Sequence, residues 1–253
     1  MKSSVERRAD ILTLLQQTNS QRVEALAQHF GVSTVTIRSD LNNLEEQGFI
    51  TRSHGFAVLN SRLITELSIA DKGTHCPELK QKIGKMAASL LSNGERVILD
   101  SGTTTKAIVR YLKDLSLTVL TNGLDIALEL VNCPNIEIRM TGGVLRKNAM
   151  SFSGVMADNN LRQYRFDKVF LGVDGFDLHK GVTTFNEQEA QLNRLMCEAT
   201  EQVIVVTDSS KFGQYSDFVI CTVNQIDVLV TDDKIPRNYQ EYLENSGVSV
   251  LIV

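Results

Sequence analysis

The first 60 residues place their apolar side chains with a helical period. In "ERRADILTLLQQ" Ile11, Leu12, Leu14 and Leu15 form one stripe, and in "RVEALAQHF" Val23, Leu26, Ala27 and Phe30 form a second. Gly31 breaks the pattern, and Ser33 suits the N-cap of a third helix, "TVTIRSDLNNLEEQG", with Ile37, Leu41 and Leu44 recurring at i, i+4 and i+7. After Gly48 the period changes. "FITRSHGFAVLN" holds two short β-type runs about a His54–Gly55 turn, which predicts a hairpin. Residues 61–78, "SRLITELSIADKGTHCPE", have weak periodicity and read as a linker.

Beyond the linker, apolar runs alternate with amphipathic segments. Seven runs predict strands: "RVILD", "LTVLT", "IEIRMT", "KVFLGVD", "VIVVTD", "IDVLVTDD" and "VSVLIV". Between or beside them "PELKQKIGKMAASLLS", "TKAIVRYLKD", "LDIALELV", "EQEAQLNRLMCEAT" and "NYQEYLENS" predict helices. Unbroken apolar strands are what a parallel sheet needs when helices cover both of its faces. The expected fold is therefore α/β: a winged helix-turn-helix over residues 1–60, a linker over 61–78, and a larger α/β domain with a mostly parallel sheet over 79–253.

Three helices, the last two joined by a glycine turn and followed by a hairpin, are the parts of a winged helix-turn-helix, whose third helix enters the DNA major groove. Such a helical pattern alone is more often plain core packing. The spacing of Ala27, Gly31, Ser33 and Ile37, together with the hairpin, tips the reading toward double-stranded operator DNA. The face of helix three opposite Ile37, Leu41 and Leu44 presents Thr34, Thr36, Arg38, Ser39 and Asn42. Arg38 is the candidate for base-edge contact, because a guanidinium grips guanine at two points. Ser33, Thr34, Thr36 and Ser39 suit phosphate and sugar contacts, as do Arg52 and His54 on the wing.

Charge argues mildly the other way. The net charge is −4, and residues 1–60 hold six Lys/Arg against six Asp/Glu. Local placement matters more than the total, since charges beyond a Debye length of about 8 Å are largely screened. Arg7, Arg8, Arg22, Arg38 and Arg52 are expected to share one side. A near-neutral module still implies modest affinity per subunit, hence a homo-oligomer.

The strand exits carry the second candidate chemistry. They read "DSGTTT" (100–105), "TNG" (121–123), "TGG" (141–143), "VDG" (173–175), "TTFNE" (183–187) and "TDSSK" (207–211). Any one of them is most often a capped turn. Their recurrence where parallel strands end predicts a shared rim, where backbone N–H groups and helix N-termini hold a phosphate. Asp100, Asp174, Asn122, Asn186 and Glu187 would take sugar hydroxyls, and Lys211 would neutralise a phosphate at the rim. Neither a G-x-x-x-x-G-K-[ST] nor a G-x-G-x-x-G pattern is present, which argues against a nucleotide or dinucleotide site. A sugar-phosphate isomerase with Glu187, Asp174 or Asp208 as its base is the competing enzyme reading. A DNA-binding regulator without an effector is the third.

Composition narrows the setting. Four scattered cysteines without C-x-x-C, four dispersed histidines, no apolar stretch near 20 residues and a polar start point to a cytoplasmic protein with no metal, cofactor or membrane span.

With those residues in view, the chain resembles the DeoR family of bacterial sugar-metabolism repressors. The likeness runs from "SVERRADILTLLQQ" and "VEALAQHFGVSTVTIRSDLNNLEEQGFITRSHG" through "ILDSGTTT", "LTNG", "MTGGVLRK", "FLGVDGFD", "GVTTFNEQEA" and "VVTDSSKFG". The last four resemble the branch containing the N-acetylgalactosamine and sugar-alcohol regulators. The resemblance implies a nucleoid-bound repressor, dimeric or tetrameric, released from its operator by a phosphorylated sugar. It also implies a sensor fold related to ribose-5-phosphate isomerase, with an effector pocket at Asp100, Ser101, Gly102, Thr103, Thr104, Thr105, Thr121, Asn122, Gly142, Gly143, Asp174, Asn186, Glu187 and Lys211, and Arg146 and Lys147 beside it. Two positions depart from the family pattern. Ser39 follows Arg38 where a second arginine is common, and Phe56 follows Gly55 where a second glycine is common.

Overall fold

The structure is a computed structural model that describes residues 4–18, 20–46, 49–53, 55–59 and 67–253. The chain divides into two compact units, Met1–His75 and Cys76–Val253. His54, Gly48, Asn60 and residues 61–66 of the expected linker lie outside the described residues.

In the first unit, helices α1 (Ser4–Thr18), α2 (Val23–Phe30) and α3 (Thr34–Glu46) are followed by strands β2 (Ile50–Ser53) and β3 (Phe56–Leu59). Strand β1 (Ser20–Arg22) precedes α2, and helix α4 (Ile69–Thr74) closes the unit. The apolar stripes meet as expected: Ile11, Leu12, Leu15, Val23, Leu26, Ala27, Ile37, Leu41 and Leu44 are buried together with Ile50 and Ala57. Gly31 adopts a left-handed conformation (φ 63°), and the next amide, Val32 N, bonds Ala27 O at 3.1 Å, ending α2. Ser33 caps α3 by accepting from Thr36 N at 3.1 Å. β2 and β3 form the expected antiparallel hairpin, and β1 adds a third strand in the order β1-β3-β2. Three residues were too few for a periodic signal. Within the weakly periodic segment, Ser68 caps α4 by accepting from Asp71 N at 3.2 Å.

The second unit begins with α5 (Pro77–Ala88), then β4 (Arg96–Leu99), α6 (Thr103–Val109), β5 (Leu117–Thr121), α7 (Leu124–Leu130) and β6 (Ile136–Met140). A hairpin of β7 (Val144–Arg146) and β8 (Ser151–Ser153) leads to α8 (Val155–Leu161) and β9 (Phe166–Leu171). Then follow β10 (Gly175–Asp177), β11 (Gly181–Thr184), α9 (Glu187–Glu198), β12 (Thr200–Val206), β13 (Phe218–Cys221), β14 (Val228–Thr231), α10 (Arg237–Asn245) and β15 (Ser249–Ile252). The seven predicted strands are the seven strands of one sheet, ordered β15-β14-β12-β9-β4-β5-β6, and every pairing in it is parallel.

Side chains leave this sheet alternately for two cores. Val97 and Leu99 of β4 pack with Ile83, Ile108 and Ile126, from α5, α6 and α7. Ile98, between them, packs with Leu161, Leu195 and Leu243, from α8, α9 and α10. The result is a helix–sheet–helix sandwich. A second, antiparallel sheet of β10, β11 and β13 was not expected from the sequence.

The first of those helix layers depends on Gly84. A Cβ there would lie 2.7 Å from the Ala107 carbonyl carbon, so α5 approaches the backbone of α6. Overpacking of this kind costs roughly 1–3 kcal/mol, against about 1 kcal/mol that alanine gains over glycine in a helix. Gly84→Ala is expected to lower unfolding stability by up to about 2 kcal/mol net, read as a lower urea midpoint at unchanged slope, and an unchanged midpoint would show that the helices slide apart.

Candidate functional sites

In the parallel sheet the strand order reverses between β4 and β9: the chain runs outward through β5 and β6 on one side and through β12, β14 and β15 on the other. Ligands of open α/β sheets bind beyond the C-terminal ends of the strands at such a switch point. "DSGTTT" leaves β4 and "GVDG" leaves β9, so two of the small-residue loops flank that point. A Cβ on Gly172 would sit 3.5 Å from Ser101 O, which places the two loops side by side. The loops after β5, β6 and β12 open on the same edge of the sheet.

Gly102 (φ 147°) turns the chain into α6, whose first backbone bond runs from Lys106 N to Gly102 O at 2.9 Å. The amides of Thr103, Thr104 and Thr105 therefore precede the helix's own hydrogen bonding. Thr103 and Thr104 are half-exposed. Thr105 is buried and its hydroxyl donates to Gly102 O at 2.9 Å, so it holds the turn. Asn122 is also buried. Its Oδ1 accepts from Ser101 N at 2.7 Å and its Nδ2 donates to Ser101 Oγ at 3.4 Å. Thr121 Oγ1 accepts from Gly123 N at 3.0 Å. Asn122 and Thr121 thus set the shape of two loops. Gly143 (φ 108°) is fixed by close approach, since a Cβ there would meet Ser153 O at 2.5 Å. Gly142 beside it also has positive φ (67°).

Beneath this rim lies a buried polar group of residues. Asp100 is 3% exposed, accepts from Asn193 Nδ2 at 3.2 Å through Oδ2, and has no hydrogen-bond partner on Oδ1. Burial, and secondarily the carboxylate of Glu189, push its pKa up to about 8, against the opposite pull of Asn122, the Ser101 amide and Asn193. Glu189 is itself held by Arg146 (Nη1–Oε1 2.6 Å) and accepts from the Ser151 hydroxyl. These contacts join β7 and β8 to α9. The sequence alone puts Arg146 only beside the site and does not single out Ser151, Glu189 or Asn193. Glu189 and Asn193 stand one helical turn apart in "NEQEAQLN", a spacing that puts both on one face of α9.

The remaining expected residues are more dispersed. Asp174 accepts from Thr184 Oγ1 at 2.9 Å. Asn186 caps α9, accepting from Glu189 N at 3.1 Å, and Glu187 is exposed. Lys211 ends a short turn, Ser209–Lys211, capped by Asp208, which accepts from Ser210 N at 3.1 Å. Asp232 anchors the same turn through Ser209 N at 2.6 Å. No hydrogen bond or ion pair among the described residues links the Lys211 side chain to residues 100–105. Lys147 is exposed.

On the first unit, Arg38, Ser39 and Asn42 are exposed along α3, and Thr34 and Thr36 are half-exposed. The Ser33 hydroxyl is already engaged in its cap and with Thr36 Oγ1 at 2.9 Å. Arg52 reaches from β2 to α3: its guanidinium donates to Asn42 Oδ1 and its amide to Glu45 Oε1 at 2.9 Å. Arg22 lies over the ring of Phe56, 5.0 Å from its centroid, so the residue that departs from the family pattern supports a wing arginine. Arg7 does not join the outer cationic group. It is 8% exposed and grips Asp40 through Nε at 2.6 Å and Nη2 at 3.2 Å, tying α1 to α3.

Residues 7–63 match the family model described as a DeoR-like helix-turn-helix domain, and residues 75–233 match that of the DeoR C terminal sensor domain. The chain belongs to the DeoR family. Among similar DeoR-family proteins, one from Escherichia coli O157:H7 named for repression of the aga operon is 44% identical over 98% of this chain and 93% of its own. The transcriptional regulator GolR of Listeria innocua is 36% identical over 98% of each chain, and the transcriptional repressor GlcR of Bacillus subtilis is 36% identical over 98% of this chain and 95% of its own. Ribose 5-phosphate isomerase A of Methanocaldococcus jannaschii shares 54% of each chain at a TM-score of 0.40 and 17% identity. Among the described residues, no helix of this DeoR-family protein is long and apolar enough to cross a membrane, and no group of three or more His, Cys, Asp or Glu is placed to hold a metal ion.

Proposed function

We propose that this DeoR-family protein represses a carbohydrate-utilisation operon and that a phosphorylated sugar seated at the β4/β9 switch point releases it from its operator. The observation that carries this reading is the division of labour at the rim. The Thr103–Thr105 amides at the start of α6 supply donors for a phosphate. Asp100, Asn193 and the Glu189–Arg146 pair supply buried polar groups for hydroxyls below it. Lys211 and Lys147 would supply counter-charge to the phosphate.

The isomerase reading has less support. Asp208 is committed to a cap, Asp174 is hydrogen-bonded to Thr184, and Glu187 is exposed at a helix start. The similar proteins are named as regulators, and an isomerase has no use for a helix-turn-helix. The repressor acts as a homo-oligomer, dimer or tetramer, in the cytoplasm and on the nucleoid. A near-neutral DNA-reading unit requires two such units to reach operator affinity.

Linkage provides the test. An effector that weakens DNA binding must itself bind DNA-free protein more tightly by the same factor. Titration calorimetry of sugar phosphates with and without a DNA duplex selected by the protein is expected to show that difference, and equal affinities would refute release. Thr104→Glu puts a carboxylate where the phosphate would sit, at a helix start that tolerates negative charge. It is expected to abolish the effector response and leave DNA binding intact, while Arg38→Ala does the reverse.

A further inference from the structure

Helix α3 carries four apolar residues, and three of them, Ile37, Leu41 and Leu44, are core residues no more than 2% exposed. The fourth, Val35, is 72% exposed. At about 100° per residue, Val35 falls roughly 20° from Asn42, 40° from Ser39 and 60° from Arg38. It therefore lies in the middle of the polar outer arc, about opposite the three buried side chains. It also sits in the first turn of the helix, where recognition helices present their base-reading side chains.

We propose that Val35 reads a thymine in the operator by packing on its C5-methyl group. The proposal rests on the DNA-binding reading of this unit and adds to it one specificity-determining contact. A valine offers no hydrogen bond, so it cannot position the protein on phosphates or sugars. In the major groove, the thymine methyl is the one base-edge feature that an aliphatic side chain recognises. The neighbours fit this placement: Arg38 and Asn42 flank Val35 with donors, and the Arg52 guanidinium is held against Asn42. The apolar spot is thus framed by groups that face DNA, not by other apolar groups that would extend it into a protein-docking surface. A β-branched residue is also a poor helix former, so an exposed valine here does not serve the helix.

Full-length protein and a duplex that it selects from a random-sequence pool make the test, at one fixed salt concentration. Each thymine of the selected site is replaced in turn by deoxyuridine, which removes only the methyl. At one position the wild type is expected to bind about fourfold more weakly, the worth of one buried methyl-sized group. Val35→Ala is expected to bind the thymine duplex about fourfold more weakly and to be indifferent to uracil at that position, with a circular-dichroism melting curve no lower than the wild type's. Three results would overturn the proposal: no thymine whose methyl matters, a uracil penalty that persists in Val35→Ala, or an equal loss by the variant on thymine and uracil duplexes. Unchanged affinity of the variant for the thymine duplex would likewise overturn it. A protein that selects no duplex at all fails the underlying DNA reading, which is a separate result.

Discussion

Asp100→Asn is expected to stabilise the ligand-free protein, and by more as the pH rises from 5 to 8. Asp100 has a native pKa of about 8 against 3.8 for an ordinary aspartate, because it is buried and faces Glu189. The folded state therefore holds this proton more tightly than the unfolded chain does. Stability from that proton is complete below pH 3.8, and it is lost progressively as the pH climbs toward 8. At pH 7 the accumulated cost is on the order of 4 kcal/mol by linkage. Asparagine does not titrate and still accepts from Asn193. For a domain of this size the gain at pH 7 is on the order of 10 °C in melting temperature, shrinking at pH 5. A stability difference between variant and wild type that is flat across that range would mean that Asp100 is not held in this environment. The substitution is expected to weaken effector binding, since it exchanges a carboxyl at the floor of the site for an amide. Stability given up at a binding site is the usual trade. At pH 7 the wild-type Asp100 is largely the neutral acid and Glu189 is matched by Arg146. The floor of the proposed site then carries little net charge, which would suit the approach of a phosphorylated ligand.

The parts of the molecule that the sequence made legible are those in which one physical signal dominates. Most strands of the main sheet are visible because burial on both faces leaves continuous apolar runs, and its edge strand β6 ("IEIRM") because apolar residues alternate with Glu137 and Arg139. The cores of α1, α2 and α3 were visible because one-sided burial leaves a stripe. Apart from β13 ("FVIC"), a plain but short apolar run, the unexpected elements mix their signals. β7 ("VLR") and β8 ("SFS") are three residues each, and β8 buries two serines. β11 ("GVTT") is buried throughout, yet its Thr183 owes this to a hydroxyl that donates to Gly175 O at 3.3 Å and accepts from Ser216 N at 2.9 Å. In α8 the periodic signal is inverted, with Val155 and Met156 exposed while Ala157 is buried.

The candidate sites divide in the same way. Loops such as "DSGTTT" and "TGG" advertise themselves through glycine and hydroxyl residues, whose backbone demands are local. Glu189 does not, because a charged residue on an amphipathic helix normally marks its solvent face, and neither Asn193 beside it nor Arg146 on the short β7 carries a local signal of its partner. Only the fold shows that α9 turns Glu189 inward to meet a hairpin arginine. Arg7 illustrates the converse: counted from sequence as a surface cation, it is an interior group with a dedicated carboxylate.

That last pair gives the other large effect. Asp40→Ala is expected to cost the first unit about 3 kcal/mol, because it strips a buried guanidinium of its bidentate carboxylate. Desolvation makes such a pair a poor source of net stability, yet breaking one side of it is expensive. Replacing both partners, Arg7→Met with Asp40→Leu, is therefore expected to recover most of the loss. The two units can be followed separately in the intact chain. It has no tryptophan, and all five tyrosines (Tyr111, Tyr164, Tyr215, Tyr239 and Tyr242) lie in the second unit. Asp40→Ala should shift the unfolding curve seen by far-ultraviolet circular dichroism and leave the tyrosine-fluorescence curve in place. DNA affinity should fall with it, because the Arg7–Asp40 pair fixes α1 against the helix that carries Arg38 and Asn42, while any sugar-phosphate stabilisation of the second unit persists. A variant in which both curves move together would mean that the units do not unfold independently. One in which neither moves would mean that α1 and α3 are held by their apolar contacts alone.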